Sequence, residues 1–420
     1  MKPMCFGTGL RVCVGLVASV LAWPSFAGGL TLDEALRLAD NTAPALAAQN
    51  ASVQAASSAA IPAGELPDPK LVLGVQNFPV GGPDRGSLDR DFMTMQMVGI
   101  RQDMPNSEKR KARIEVADAA VDTAIAQRRV ARLNVRQATA LAWINSYSVE
   151  RKDALFKDFY SENRLFIDAV RAAIAGGRAQ PSDAVTPKQE AALLAEQQDE
   201  LQQQRAQAHA ALKRWIGPAG NDTPLGRLPE WPVEGGMYTH NVQHHPQLAA
   251  FEPMTREAQA KLHEAEAQQH PDWSWELDYQ HRGQQFGDMV SVQFSWDLPI
   301  FPGRRQNPVI VARQADLDQL DAEREDMTRE HTRQLDNDLA DFQRLNRAVQ
   351  RGQDSLIPLA QEKVALSMAS YRAGKGDLNA LVTARRELIQ ARLKQVDVEE
   401  QRAAVNARLY FAYGEGAHDI

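Results

Sequence analysis

The sequence predicts a mainly α fold with a small β part, built from two tandem copies of one unit of long antiparallel helices. Three observations predict it. Similar residues recur at a fixed spacing, two helical patterns each run for nearly seventy residues, and four short segments alternate apolar with polar residues. Composition agrees: 44% of the 420 residues are hydrophobic and 24% charged, too apolar for disorder and too charged for a bundle of membrane helices. Lys plus Arg number 47 against 54 Asp plus Glu, a net charge of −7, whereas a nucleic-acid binder leans basic.

The repeat organises the chain. Gly177 and Gly374 lie 197 residues apart, and at that offset Val185-Thr186 meets Val382-Thr383, Lys188 meets Arg385, Glu190 meets Glu387 and Gly217 meets Gly414. Upstream, Gln96 meets Gln293 and Pro105 meets Pro302. The expected division is a leader over 1–27, a first repeat over 28–217, a Pro/Gly-rich linker over 218–236, a second repeat over 237–414 and a short tail over 415–420.

The leader has Lys2 and Arg11 ahead of the apolar run Val12–Trp23, then the small-x-small site Ser25-Phe26-Ala27. This is the form of a secretory signal peptide cleaved after Ala27, and the apolar run is short of a full membrane span. Both cysteines, Cys5 and Cys13, leave with it, so the expected mature chain has no disulfide and no thiolate.

Copy one should begin with a helix over Thr31–Ala60, with Thr31 as N-cap and Glu34 three residues on. Strands over Lys70–Phe78 and Phe92–Gln102 follow, then a proline-free helix over Ser107–Ala175, a Gly176-Gly177 turn and a returning helix over Ser182–Ile216. Copy two repeats the order: helix His244–Gln269, strands Trp273–His281 and Met289–Leu298, helix Asn307–Ala373, turn Gly374–Gly376 and helix Asp377–Tyr413. Pro358 should kink the second long helix, because it removes a backbone donor. A helix of this length is on the order of 100 Å long, a scale usual for coiled coils.

The strands read as membrane-spanning. Trp273, Trp275, Leu277 and Tyr279 alternate with Ser274, Glu276, Asp278 and Gln280; Val290, Val292, Phe294 and Trp296 alternate with polar residues. In the first copy Met93, Met95 and Met97 read as the apolar face, and Leu71, Leu73 and Val75 as another. Apolar-out, polar-in alternation with aromatics is the outer-membrane signature. Four strands fall short of the eight in the smallest membrane barrels, and open edges are prohibitively costly in lipid. Spanning strands would therefore require several chains to share one barrel: two give eight strands and three give twelve. A soluble periplasmic coiled-coil adaptor or scaffold stays open as the alternative, since it needs no spanning strands.

The leader, the duplicated helix–hairpin–long helix order and the run Tyr371-Arg372-Ala373-Gly374-Lys375-Gly376-Asp377-Leu378 resemble the TolC-type outer-membrane efflux factors. The resemblance implies a homotrimer: a trimeric α-helical barrel in the periplasm carrying a shared twelve-stranded transmembrane β-barrel in outer-membrane lipid. It implies an exit duct that receives substrate from an inner-membrane proton-driven efflux pump through a periplasmic membrane-fusion adaptor, with no nucleic acid, no cofactor and no catalytic residue. Leu66-Pro67-Asp68-Pro69 and Asp91–Gln96 look most like the heavy-metal branch, which exports cations such as copper, silver or zinc; a duct for drugs or organic solutes is the alternative within the family. Many members carry a lipidated cysteine at the mature N-terminus, where this chain has Gly28.

The resemblance also implies a periplasmic tip for adaptor docking at Gly176, Gly177, Arg178, Gly374, Lys375, Gly376, Asp377 and Leu378, with Arg178, Lys375, Asp377 and Leu378 exposed. Asp183 and Asp377 are candidates for acidic rings at the pore mouth. Other suggestive groups read blandly. His240, His244 and His245 open a helix and are assigned no metal; Glu399-Glu400 reads as a solvated helix face; no nucleotide loop or credible catalytic triad is present in the sequence.

Overall fold

The computed structural model describes residues 29–414. The leader with its expected cleavage after Ala27 and the 415–420 tail lie outside the described residues.

Copy one opens with α1 (Leu32–Thr42) and α2 (Pro44–Ala60), capped by Thr31, whose Oγ1 accepts from the Glu34 amide at 3.3 Å. The single helix expected over Thr31–Ala60 is thus two. Pro44 cannot donate into a continuing turn, so Ala43 turns extended and Pro44 takes the first position of a new helix, where no donor is needed. Strands β1 (Lys70–Gln76) and β2 (Met95–Met104) lead to α3, which runs unbroken from Ser107 to Ala175, 69 residues or about 100 Å. Asn106 starts it by accepting from the Lys109 amide at 2.8 Å. A 3₁₀ turn over Pro181–Val185 precedes the returning α4 (Thr186–Ile216).

Copy two carries α5 (Gly235–Asn241), then α6 (Pro246–Ala249) and α7 (Phe251–Ala267) where one helix over His244–Gln269 is expected. Strands β3 (Trp273–His281) and β4 (Met289–Trp296) follow, then α8 (Gln306–Arg351), α9 (Ile357–Arg372) and α10 (Leu378–Tyr413). Between α8 and α9 a π-turn over Gly352–Leu356 widens the helix just before Pro358, which then sits in the first turn of α9. The missing proline donor is absorbed by extra chain rather than by a sharp break. Gln395 of α10 reaches the Val349 carbonyl at 3.4 Å. Gly352 gives it room: a Cβ there would stand 1.8 Å from Gln395 Oε1.

The four strands form one antiparallel sheet in the order β1-β2-β3-β4. The central β2–β3 pairing, with Val98 opposite Tyr279 and Ile100 opposite Leu277, joins the two copies. Below the sheet, α3 and α10 share a core with α1 and α4. Trp143 is buried there, and its indole N–H donates to the Leu30 carbonyl at 2.8 Å.

The expected linker over 218–236 is held against this core. Leu30 bridges Pro224, Trp231 stacks on Tyr410 at 4.4 Å, and the Asn406 side chain bonds both the amide and the carbonyl of Trp231. Glu399 is also internal, against the expected solvated face. It accepts from Gln395 at 2.8 Å, from Gln353 at 3.1 Å and from Arg151, so α3, the π-turn and α10 meet on one carboxylate. Burial alone would raise its pKa, but these hydrogen bonds outweigh that and hold it below the usual range. Among the described residues, no helix is long and apolar enough to cross a membrane.

Candidate functional site

Two regions carry the functional geometry: the faces of the sheet and the far end of the long helices. Paired residues of an antiparallel sheet share a face, so the register sorts the strands. One face holds Leu71, Leu73 and Val75, then Val98 and Ile100, then Leu277 and Tyr279, then Val290, Val292, Phe294 and Trp296; each is 44–69% exposed. The other face is polar, with Lys70, Arg101, Asp103, Glu276, Gln293 and the nearly covered Ser274, Asp278 and Gln280. Lys70 pairs with Asp103 at 2.6 Å, and Arg101 donates to Ser274 at 3.2 Å.

This overturns the expected parity of β2. Met97 lies opposite Gly74 and Gln280, and Met95 opposite Gln76, which puts both methionines on the polar face; Val98 and Ile100 are the outward pair. Met93 and Thr94 precede the strand.

The two hairpin connections differ in length, 77–94 against 282–288, and they touch: a Cβ at Gly283 would stand 1.8 Å from the Asp89 carbonyl oxygen.

At the opposite end the two helical turns lie side by side. Arg178 donates to the Arg372 carbonyl at 2.7 Å, tying the first turn to the second. Gly177 (φ +68°) and Gly374 (φ +72°) take the left-handed conformation that ends a helix, and the Arg178 amide closes the first turn on Ala173 at 2.9 Å. Gly176 and Gly376 are not left-handed. Gly376 answers to space, since a Cβ would stand 2.9 Å from Ser370 Cβ and the Tyr371 nitrogen.

Arg178, Lys375 and Asp377 are exposed as expected. Leu378 is not. It is 8% exposed and belongs to a core with Phe166, Val170, Ala173, Tyr371, Leu381 and Val382, because the first turn of α10 faces α3. Asp183 is half-buried and accepts from the Gln180 amide at 3.0 Å, closing a capping box on the 3₁₀ turn. Asp377 is the N-cap residue of α10 and makes no capping hydrogen bond with its side chain. Burial, with the Asp183 carboxylate adding to it, pushes the Tyr371 phenol up.

The structure adds Arg385, buried over the Phe166 ring at 4.4 Å, and Arg386, which pairs with Glu190 of α4 at 2.6 Å. The repeat alignment of Lys188 with Arg385 is the sequence signal that marks this level of the helices. His245 is remote from the tip, with its ring 4.0 Å from that of His331. Among the described residues, no group of three or more His, Cys, Asp or Glu side chains is placed to hold a metal ion.

Known proteins share a sequence family match with the second copy and the fold of the chain. Residues 238–415 match the family described as outer membrane efflux protein. Solved membrane proteins share the fold over 91–92% of the chain. VceC, an outer membrane protein of Vibrio cholerae, superposes with a TM-score of 0.76 at 16% identity, over 91% of this chain and 96% of that one. A membrane protein from Pseudomonas aeruginosa gives 0.79 at 18% identity, over 91% and 90%. The CmeC outer membrane channel of Campylobacter jejuni gives 0.77 at 12% identity, over 92% and 86%. No curated protein matches the chain by sequence.

Proposed function

We propose that the protein is the outer-membrane exit duct of a tripartite efflux assembly. Three copies would join β4 of one chain to β1 of the next and close a twelve-stranded barrel, with the long helices continuing it as a periplasmic tunnel. The observation that carries this reading is the sheet. It has an apolar, exposed face, a polar opposite face, and edge strands β1 and β4 that each pair on one side only among the described residues. Lipid tolerates no such edges, and four strands close no barrel, so copies must supply the rest. A soluble scaffold would leave that face in water.

The duct conducts passively; the energy comes from an inner-membrane proton-driven pump, and a periplasmic adaptor docks at the tip through Arg178, Lys375 and Asp377. Gly176, Gly177, Gly374 and Gly376 shape that surface, and Asp183 and Asp377 place carboxylates near its mouth. The cargo is heavy-metal cations, on the likeness of Leu66–Pro69 and Asp91–Gln96 to that branch.

Deleting the gene tests the reading. The mature protein should sediment with outer membranes, and the deletion strain should become sensitive to heavy-metal ions. Sensitivity only to drugs or dyes would replace the cargo with organic solutes. A soluble periplasmic protein would reject the duct.

A further inference from the structure

The inward turn of β2 places thioethers where a water-filled barrel has no structural use for them. One layer of the inner face runs Gly74, Met97, Gln280, Met289 across the four strands, and Met95 stands two residues further along β2. Met97 lies across β1: its Cγ and Sδ sit 3.4 Å from the point a Cβ of Gly74 would occupy, so the absent side chain makes its bed. Met289 is 44% exposed and Met95 half-buried, so neither fills a core. Apart from Val72, the side chains on the rest of the face are charged or hydrogen-bonding, as barrel interiors are.

The geometry points to a soft-cation site on the inner face of the sheet, in which Met95, Met97 and Met289 bind monovalent ions of the copper(I) and silver(I) class. This rests on the reading that the sheet closes around a lumen.

A thioether is a neutral, polarisable ligand that favours soft metals, whereas hard ions take carboxylate, carbonyl or water oxygen. It therefore discriminates against magnesium and calcium without adding charge to the lumen. Spacing suits passage more than storage. Met95 and Met97 are roughly 7 Å apart along the strand, and Met97 and Met289 roughly 10 Å apart across Gln280. Ions held weakly at neighbouring positions can enter and leave, which conduction requires. Met93, exposed just before β2, continues the series toward the outer loops.

The test uses the assembled protein in detergent or lipid nanodiscs, with ¹³C-methyl methionine labelling and silver nitrate in chloride-free buffer. The methyl resonances of Met95, Met97 and Met289 should shift saturably with silver and stay unmoved with magnesium or calcium. Replacing all three by leucine, which preserves volume, should weaken silver binding at least tenfold at unchanged native mass; Met97→Leu alone should lose part of it. Silver shifts confined to other methionines, such as Met237 and Met254, would overturn the site. So would equal silver binding by wild type and the assembled triple variant.

Silver tolerance of cells separates this from the efflux reading. If deletion leaves tolerance unchanged while the three thioethers shift, the site stands and metal export falls. If deletion sensitises cells and the three resonances do not move, export stands and the site falls.

Discussion

Acidification should destabilise the protein through a buried histidine pair before most carboxylates titrate. His245 is 4% exposed, and its Nδ1 accepts from the Gln247 amide at 3.2 Å, capping α6. The Tyr413 hydroxyl donates to the His331 carbonyl at 3.1 Å and so accepts from His331 Nδ1 at 3.2 Å, which leaves the bare His331 Nε2 without a partner among the described residues. A cavity of about 230 Å³ beside the pair also meets Glu330, Asp338 and Arg408, but Asp338 is already paired with Arg408 at 2.6 Å and Glu330 bonds Arg333.

Burial, with the neighbouring His331 adding to it, pushes His245 down to about 3 from its ordinary 6.5, and burial also lowers His331. A depressed histidine pKa means the unfolded chain binds the proton first. The stabilisation is therefore complete above pH 6.5 and lost as pH falls toward 3. For His245 alone the full span is worth about 4–5 kcal/mol, of which about 2 kcal/mol is gone by pH 5. Helical circular dichroism during urea unfolding at pH 7.5, 6, 5 and 4.5 measures it. His245→Asn keeps a neutral cap for α6 and should remove most of the slope between pH 6.5 and 5. A flat wild-type profile in that window, or an equal slope in the variant, would refute the argument.

Other outcomes follow from the same geometry. Leu378→Asp places a carboxylate in the tip core and should cost at least about 3 kcal/mol locally; hydrogen exchange should rise around 166–178 and 371–382, while Lys375→Glu should leave exchange unchanged and alter only adaptor crosslinking. Gly374→Val forces a β-branched residue to φ +72°, costing about 1–3 kcal/mol, and should fray the second turn without changing the β signal. Val98→Arg on the outward face should cost about 2–4 kcal/mol at mid-bilayer and sharply reduce assembled protein, whereas Met97→Arg should assemble; the opposite result would restore the parity read from sequence.

The long elements were legible because their signals are local. The proline-free apolar period from Ser107 and the Gly176-Gly177 turn after it bound α3, and the aromatic alternation of Trp273–His281 marks β3 at its true ends. Parity in β2 was not legible, since Met95 and Met97 alternate as cleanly as Val98 and Ile100; only pairing with the aromatic face of β3 decides between them. Leu378 misleads for a related reason. A residue just after a glycine turn reads as surface, yet the returning helix must present an apolar side chain to α3 in its first turn. Pro44 and Pro358 both announce an interruption, but whether the chain restarts a helix or inserts a π-turn depends on neighbours such as Gly352 and Gln395. Glu399 was invisible because its partners lie on two other elements.

Native mass spectrometry of the protein extracted in mild detergent, with circular dichroism on the same sample, tests the central claim most directly. A sheet with an exposed apolar face and two edges unpaired among the described residues predicts a stable assembly of three chains that retains its β signal. A stable single chain with its β content intact would mean the edges need no partner, and would contradict the shared barrel.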